Sequence, residues 1–222
     1  VPNFYNTVIR NSRYFGSDAV CKDTAMLEPG TRTAVANLLA DAKAQGIDLR
    51  LLETYRSQTR QSYLFTKRAT QLRTVGCHGY GVACDFGVFT NGKYEEGNKP
   101  YVFLKVLARK HGLISGQDWG HSTEGGFVDS GHVQRVPVWR QSALFGGSWY
   151  PEPNGYDPYA DSAATGHSDV VLNIGGVSKP VALPKAPTPA PSSIHSAELT
   201  AQHPAPHAET ETFADWLKGL AT

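Results

Sequence analysis

Cysteine is scarce in this chain of 222 residues: Cys21, Cys77 and Cys84 are the whole supply. An odd, small number cannot staple a disulfide-built scaffold, so a packed core must hold the fold. One bridge stays open, and with it the redox compartment. Net charge is nearly missing too, at +1. Without a bulk field of either sign, nothing gathers nucleic acid or an acidic membrane surface, and no nucleic-acid partner is expected. No apolar run approaches the length that spans a bilayer, and there are no internal repeats. The chain opens at Val1 with VPNFYNTVIRNSRYFG, which lacks a basic region followed by an apolar run. No signal peptide is expected within it, and whether one has been removed stays open.

What is present is a hydrophobic fraction of 40%, with 22 Gly and 14 Pro. That allows one packed domain plus extra segments. From Thr31 the pattern is helical, with Val35, Leu38, Leu39 and Ala42 on one face and Gly46 as a stop. Ile47 to Thr54 reads as a strand. Ser57 can cap a second helix carrying Gln61, Leu64, Phe65 and Leu72. A Gly-rich bend, Gly76 to Gly81, leads into a strand from Val82 to Phe89, and Asn91-Gly92 signals a hairpin. Pro100 starts a third helix with Val102, Phe103, Val106 and Leu107 as its apolar stripe and Gly112 at its end. An extended run follows from Phe127 to Val136. The expected fold class is α+β, a small antiparallel sheet flanked by helices.

The organisation expected is a domain over residues 1–150 and an extension over 151–183, with a small hairpin about Gly175-Gly176. A Pro/Ala-rich linker follows over 184–210, and then a short amphipathic helix over 211–222. The linker composition cannot bury a core. In the last segment Phe213, Trp216, Leu217 and Leu220 fall on one helical face.

The chemistry concentrates in His78-Gly79-Tyr80-Gly81-Val82-Ala83-Cys84-Asp85. On one continuous strand His78 and Asp85 would face opposite ways. Gly79 and Gly81 let the backbone turn, so that both can aim at one point. Strand parity puts Ala83, Asp85 and Gly87 on one face and Val82, Cys84, Phe86 and Val88 on the other, apolar face. Such a carboxylate suits a ligand in a cleft; a surface His and a turn-capping Asp suit the octapeptide equally well. A second piece is Asp129-Ser130-Gly131-His132. Two His and one carboxylate form a catalytic zinc set with an open position, and a free carboxylate beside it can accept a proton from bound water. Isolated Asp-x-x-His strings carry little meaning; the weight lies in the combination.

That combination, His78-x-x-Gly81-x-Ala83-x-Asp85 with Asp129-x-x-His132, resembles the zinc D-alanyl-D-alanine carboxypeptidases and L-alanyl-D-glutamate endopeptidases. The family includes phage endolysins and vancomycin-resistance carboxypeptidases and shares the Hedgehog/DD-peptidase fold. Tyr55-Arg56-Ser57 with Gln61 looks like its Tyr-Arg-Ser stretch and following Gln. Gly116-Gln117-Asp118-Trp119 looks like its Gly- and Trp-rich stretch before the catalytic acid. The resemblance covers roughly residues 30–140. It implies Zn2+ at His78, Asp85 and His132, Asp129 as general base and acid, and Arg56 on a substrate carboxylate or the oxyanion. It also implies Gln61 and Trp119 as substrate contacts.

Three departures stand out. Gly76 occupies the family's usual Ser or Thr position, His121 to Gly126 looks like an insertion, and Val133 and Gln134 replace aromatic or acidic residues after the last His. Glu124 is a rival general base and His121 a rim residue. Cys77 and Cys84 flank two ligands; parity turns Cys84 into the core, and a Cys-His protease would leave Asp85 and His132 unexplained. His111 suits a helix C-terminus. His167, His195, His203 and His207 lie in low-complexity sequence and are expected to be solvated.

The expected activity is zinc-dependent hydrolysis of an amide bond in the peptide stem of peptidoglycan. The L-Ala–D-Glu bond is favoured because Asp129 stands where the vancomycin-type enzymes have Glu; the D-Ala–D-Ala bond is the alternative. A catalytically silent zinc module is the rival of another class, and a third reading gives the C-terminal tail a wall- or partner-binding role. A monomer acting on the cell wall, exported or released at lysis, is expected.

Overall fold

The structure, a computed structural model, describes residues 3–120 and 128–167. After a short helix α1 (Phe4–Thr7), the first long helix is α2 (Pro29–Ala44). It begins two residues before Thr31 because Glu28 caps it, its carboxylate accepting from the Gly30 and Thr31 N–H groups at 2.9 and 2.8 Å. Pro29 is tolerated at the first helical position, where no N–H is needed. Gly46, at φ +74°, ends the helix as expected. Strand β1 (Asp48–Glu53) follows. Ser57 caps α3 (Gln58–Thr66), its hydroxyl accepting from Arg60 N at 2.9 Å. Leu72, expected along this helix, lies beyond its end and is exposed.

A 3-10 turn over Cys77–Tyr80 leads into β2 (Ala83–Thr90), and Asn91-Gly92 closes a hairpin onto β3 (Lys93–Tyr94). The two turn residues have φ of +52° and +78°, the twist that suits a tight hairpin. A 3-10 turn, Lys99–Tyr101, precedes α4 (Val102–Lys110). Its stripe is only partly the expected one: Leu107 is buried and Phe103 packs on the core, but beside Leu104 and Ala108, while Val102 and Val106 are 59% and 64% exposed. With apolar residues on several sides, helical spacing alone could not say which face docks. Strands β4 (Ile114–Ser115) and β5 (His132–Gln134) complete the sheet. The extended run expected over 127–136 is thus strand over its middle only. Helices α5 (Gln141–Phe145) and α6 (Pro158–Ala164) follow.

The strands are all antiparallel in the order β1-β2-β5-β4, with β3 on the far end of β2. The fold is therefore α+β with a small antiparallel sheet, as expected. Val35, Leu38 and Ala42 of α2 and Leu104, Leu107 and Ala108 of α4 pack on one sheet face, against Leu49, Cys84, Phe86, Val88 and Val133. The other face carries Asp85, His132 and Gln134 beside buried Ala83, Leu52 and Phe89.

Residues 151–167, read from sequence as the start of an extension, pack onto this domain. Arg140 pairs with both Asp161 carboxylate oxygens at 2.8 and 2.9 Å, and the Tyr159 hydroxyl donates to Leu113 O at 2.8 Å. His167, expected to be solvated, is exposed but stacks on Trp139 with centroids 4.5 Å apart. His111 caps α4 and its Nε2 lies 2.7 Å from Asp41. All three cysteines are buried and unbridged. Among the described residues no helix is long and apolar enough to cross a membrane. The expected hairpin at 175–176, the linker, the last helix and His195, His203 and His207 lie outside the described residues.

Candidate metal centre and active-site cleft

The sheet face opposite α2 and α4 assembles the site by strand pairing. Asp85 on β2 stands opposite His132 on β5, and directly opposite residues share a face. On its other side Asp85 stands opposite Glu53, because the β1–β2 register shifts between Leu51 and Glu53. Without that bulge Leu52 would take the place; the extra residue turns a carboxylate into the row instead. His78 arrives from the 3-10 turn before β2. Gly81 makes this approach possible at φ +68°, where a Cβ would also sit 2.5 Å from Met26 O.

His78 Nε2, Asp85 Oδ1 and His132 Nδ1 form a near-equilateral triangle with sides of 3.1, 3.2 and 3.0 Å. Tetrahedral zinc with ligand bonds of about 2.0–2.1 Å needs ligand atoms about 3.3 Å apart. These residues therefore fit such an ion, and they form a metal-competent cluster. The remaining atoms are braced unequally. Asp85 Oδ2 accepts from Arg56 Nη2 at 2.9 Å. His132 Nε2 lies 3.1 Å from Gln134 Oε1, while the Gln134 amide N–H donates to Val136 O. A carbonyl can only accept, so it sets which end of the Gln134 amide faces His132. Oε1 must then accept from Nε2–H, which leaves Nδ1 as the nitrogen that would face an ion in the triangle. His78 Nδ1 is buried with no partner among the described residues.

Arg56 is half of a buried ion pair. Its Nε donates to Glu53 Oε2 at 2.7 Å, its Nη2 contacts the same oxygen, and its Nη1 donates to Gln61 Oε1 at 3.3 Å. Arg60 pairs with Glu53 Oε1 at 3.2 Å. Gln61, expected to touch substrate, is buried, and both amide hydrogens go to Thr70 Oγ1 and Leu72 O. It braces Arg56 and the following loop.

Asp129 and Trp119 line the same cleft, a cavity of about 860 Å³ that also holds the triangle. The Trp119 ring lies 4.8 Å from the His132 ring, and its Nε1 is buried without a partner among the described residues. Gly116 lets the Asp129 backbone come close, since a Cβ there would meet Asp129 O at 2.4 Å. Asp85 and Asp129 are pushed apart in acidity. Burial works against the Asp85 carboxylate, but His78, His132 and Arg56 outweigh it and hold the group well below the ordinary range. Burial and then the Asp85 charge raise Asp129, against the pull of His132, His78 and Arg56. Burial drives the Cys77 thiol up to about 12 and raises Cys84, so neither is a ready thiolate. His121 and Glu124 lie outside the described residues. Sequence reasoning missed Glu53 and the role of Gln134; the alternation from His132 to Gln134 could have flagged the latter as sharing its face.

The family resemblance is met by a family model. Residues 24–103 match the one described as VanY, D-alanyl-D-alanine carboxypeptidase. That span holds Arg56, Gln61, His78 and Asp85 and ends before Trp119, Asp129 and His132. No curated protein matches the chain. Similar solved structures include the L-Ala D-Glu endopeptidase ChiX of Serratia marcescens, at 20% identity over 50% of this chain and 81% of that one, with a TM-score of 0.39. The LD-carboxypeptidase LdcB is 19% identical over 55% of this chain and 64% of its own, with a TM-score of 0.40. A VanY D,D-pentapeptidase variant in complex with Zn(II) is 16% identical over 52% and 76%, with a TM-score of 0.37.

Proposed function

We propose, from the VanY-family match over residues 24–103, that this chain is a zinc-dependent peptidase acting on the peptide stem of peptidoglycan. The observation that carries the proposal is the His78–Asp85–His132 triangle, opening on a cleft with Asp129 beside it. Zinc, when bound, supplies Lewis acidity, bringing the pKa of a water to about 7 and polarising a carbonyl. The residues do the rest. His78 Nε2, Asp85 Oδ1 and His132 Nδ1 would hold the ion. Asp129 takes a proton from water on one carboxylate oxygen and returns it to the leaving amine. Arg56 keeps the Asp85 carboxylate turned, and Trp119 walls the cleft beside His132.

For the bond, the L-Ala–D-Glu amide is our reading, on the resemblance of Asp129 to the endolysin type. The family description favours the D-Ala–D-Ala bond as the alternative. Action on the wall implies export or release at lysis. The test is zinc content and turnover of a defined muropeptide, with products read by mass spectrometry, for three proteins side by side. Asp129→Ala should keep zinc and lose about 10²–10⁴-fold in turnover. Asp85→Ala should lose zinc itself. A parent that holds zinc and cleaves nothing would instead favour a silent zinc module.

A further inference from the structure

The stem peptide of the proposed function carries carboxylates, and the cleft holds two arginines that could receive one, Arg56 and Arg68. Arg56 is already committed. Of the five N–H donors of a guanidinium, four go to Glu53, Asp85 and Gln61, and Glu53 balances its charge. Arg68 is the opposite case. It lines the cavity and is exposed, and its side chain has no partner among the described residues.

The backbone of Arg68 adds an independent observation. It closes α3 in the left-handed region, at φ +59°, with its own N–H bonded to Phe65 O and that of Ala69 to Leu64 O. This is the helix-ending position at which glycine is favoured, since any side chain there is strained. Local stability therefore does not ask for arginine. Strain kept in the wall of a cleft points to a use for the side chain.

Resting on the stem-peptide reading, we propose that Arg68 grips a carboxylate of the bound peptide, and that Arg56 is a positioning residue for Asp85. A planar guanidinium fork pairs with a carboxylate through two parallel hydrogen bonds. Two carboxylates of the stem offer that chemistry: the α-carboxylate of a γ-linked D-Glu and the C-terminal carboxylate.

The zinc-loaded full chain is assayed on three peptides: one unmodified, one amidated at the D-Glu α-carboxyl, and one amidated at the C-terminus. The proteins are wild type, Arg68→Gly and Arg68→Lys. Wild type should lose at least tenfold in kcat/KM, mostly through KM, on one amidated peptide, which identifies the carboxylate. Arg68→Gly should lose the same factor on the unmodified peptide and nothing further on that amide, with Arg68→Lys between. Because glycine suits the helix end, Arg68→Gly should melt no lower than wild type. Equal rates for wild type and Arg68→Gly, or an equal loss on all three peptides, overturns the proposal alone. A wild type that cleaves none of the three overturns the stem-peptide reading and this proposal with it.

Discussion

Arg56 reaches Asp85 through the oxygen that the imidazoles leave free. Nη2 donates to Oδ2 at 2.9 Å, while His78 Nε2 and His132 Nδ1 face Oδ1 at 3.1 and 3.0 Å. The carboxylate is thereby held with one oxygen toward the triangle and one toward a cation. Behind Arg56 stands Glu53, fully buried between two arginines.

That chain predicts a stability effect separate from catalysis. Arg56→Ala leaves the buried Glu53 with Arg60 alone, and breaking a buried pair costs about 3–5 kcal/mol. Urea unfolding of the metal-free protein should show a loss in that range, with Arg56→Lys milder. A change under about 0.5 kcal/mol, the usual size for a surface substitution, would contradict a structural role for the pair.

Gln134 yields a prediction about a proton position. In zinc-loaded protein, nitrogen NMR should find the His132 proton on Nε2, because Gln134 Oε1 accepts there and Nδ1 faces the ion. Gln134→Met removes the acceptor at similar volume. Zinc affinity, read by chelator competition, should then fall about 10–100-fold. A wild-type His132 that lacks a proton on Nε2 in the zinc-loaded protein, or unchanged affinity in the variant, would refute the brace.

The docked face of α4 is testable by contrast. Leu104 is fully buried, so Leu104→Ala should cost about 2–5 kcal/mol. Val106 is 64% exposed, so Val106→Lys should fall within about 0.5 kcal/mol of wild type. The reverse ranking in thermal or urea unfolding would restore the stripe expected from spacing.

Asp41 sets a pH dependence. Hydrogen bonds from Lys110 and then His111 lower its pKa in the folded protein. A depressed folded pKa stabilises above the unfolded value, and that contribution disappears as pH falls through the folded one. Asp41→Asn should therefore be less stable than wild type near neutrality, and the gap should close in acid below the ordinary carboxylate range. A gap that persists unchanged there would assign the effect to packing.

Several features follow from local chemistry and were legible in the residues themselves. Gly46 stops α2, Ser57 caps α3 and Asn91-Gly92 turns the hairpin because each depends on its own backbone angles or a hydroxyl a few residues away. Alternation likewise turned Cys84 and Phe86 to the core and Asp85 to the cleft, since side-chain direction on a strand has a period of two. The candidate ligands could be named from spacing, yet spacing says nothing of distance. The triangle closes only because β2 and β5 pair Asp85 with His132 across 47 residues of chain. The bulge that brings Glu53 beside Asp85, the face on which α4 docks and the packing of residues 151–167 were decided in the same way. Each is settled by a partner remote in sequence, and the free energy that selects it exists only once both partners are buried together.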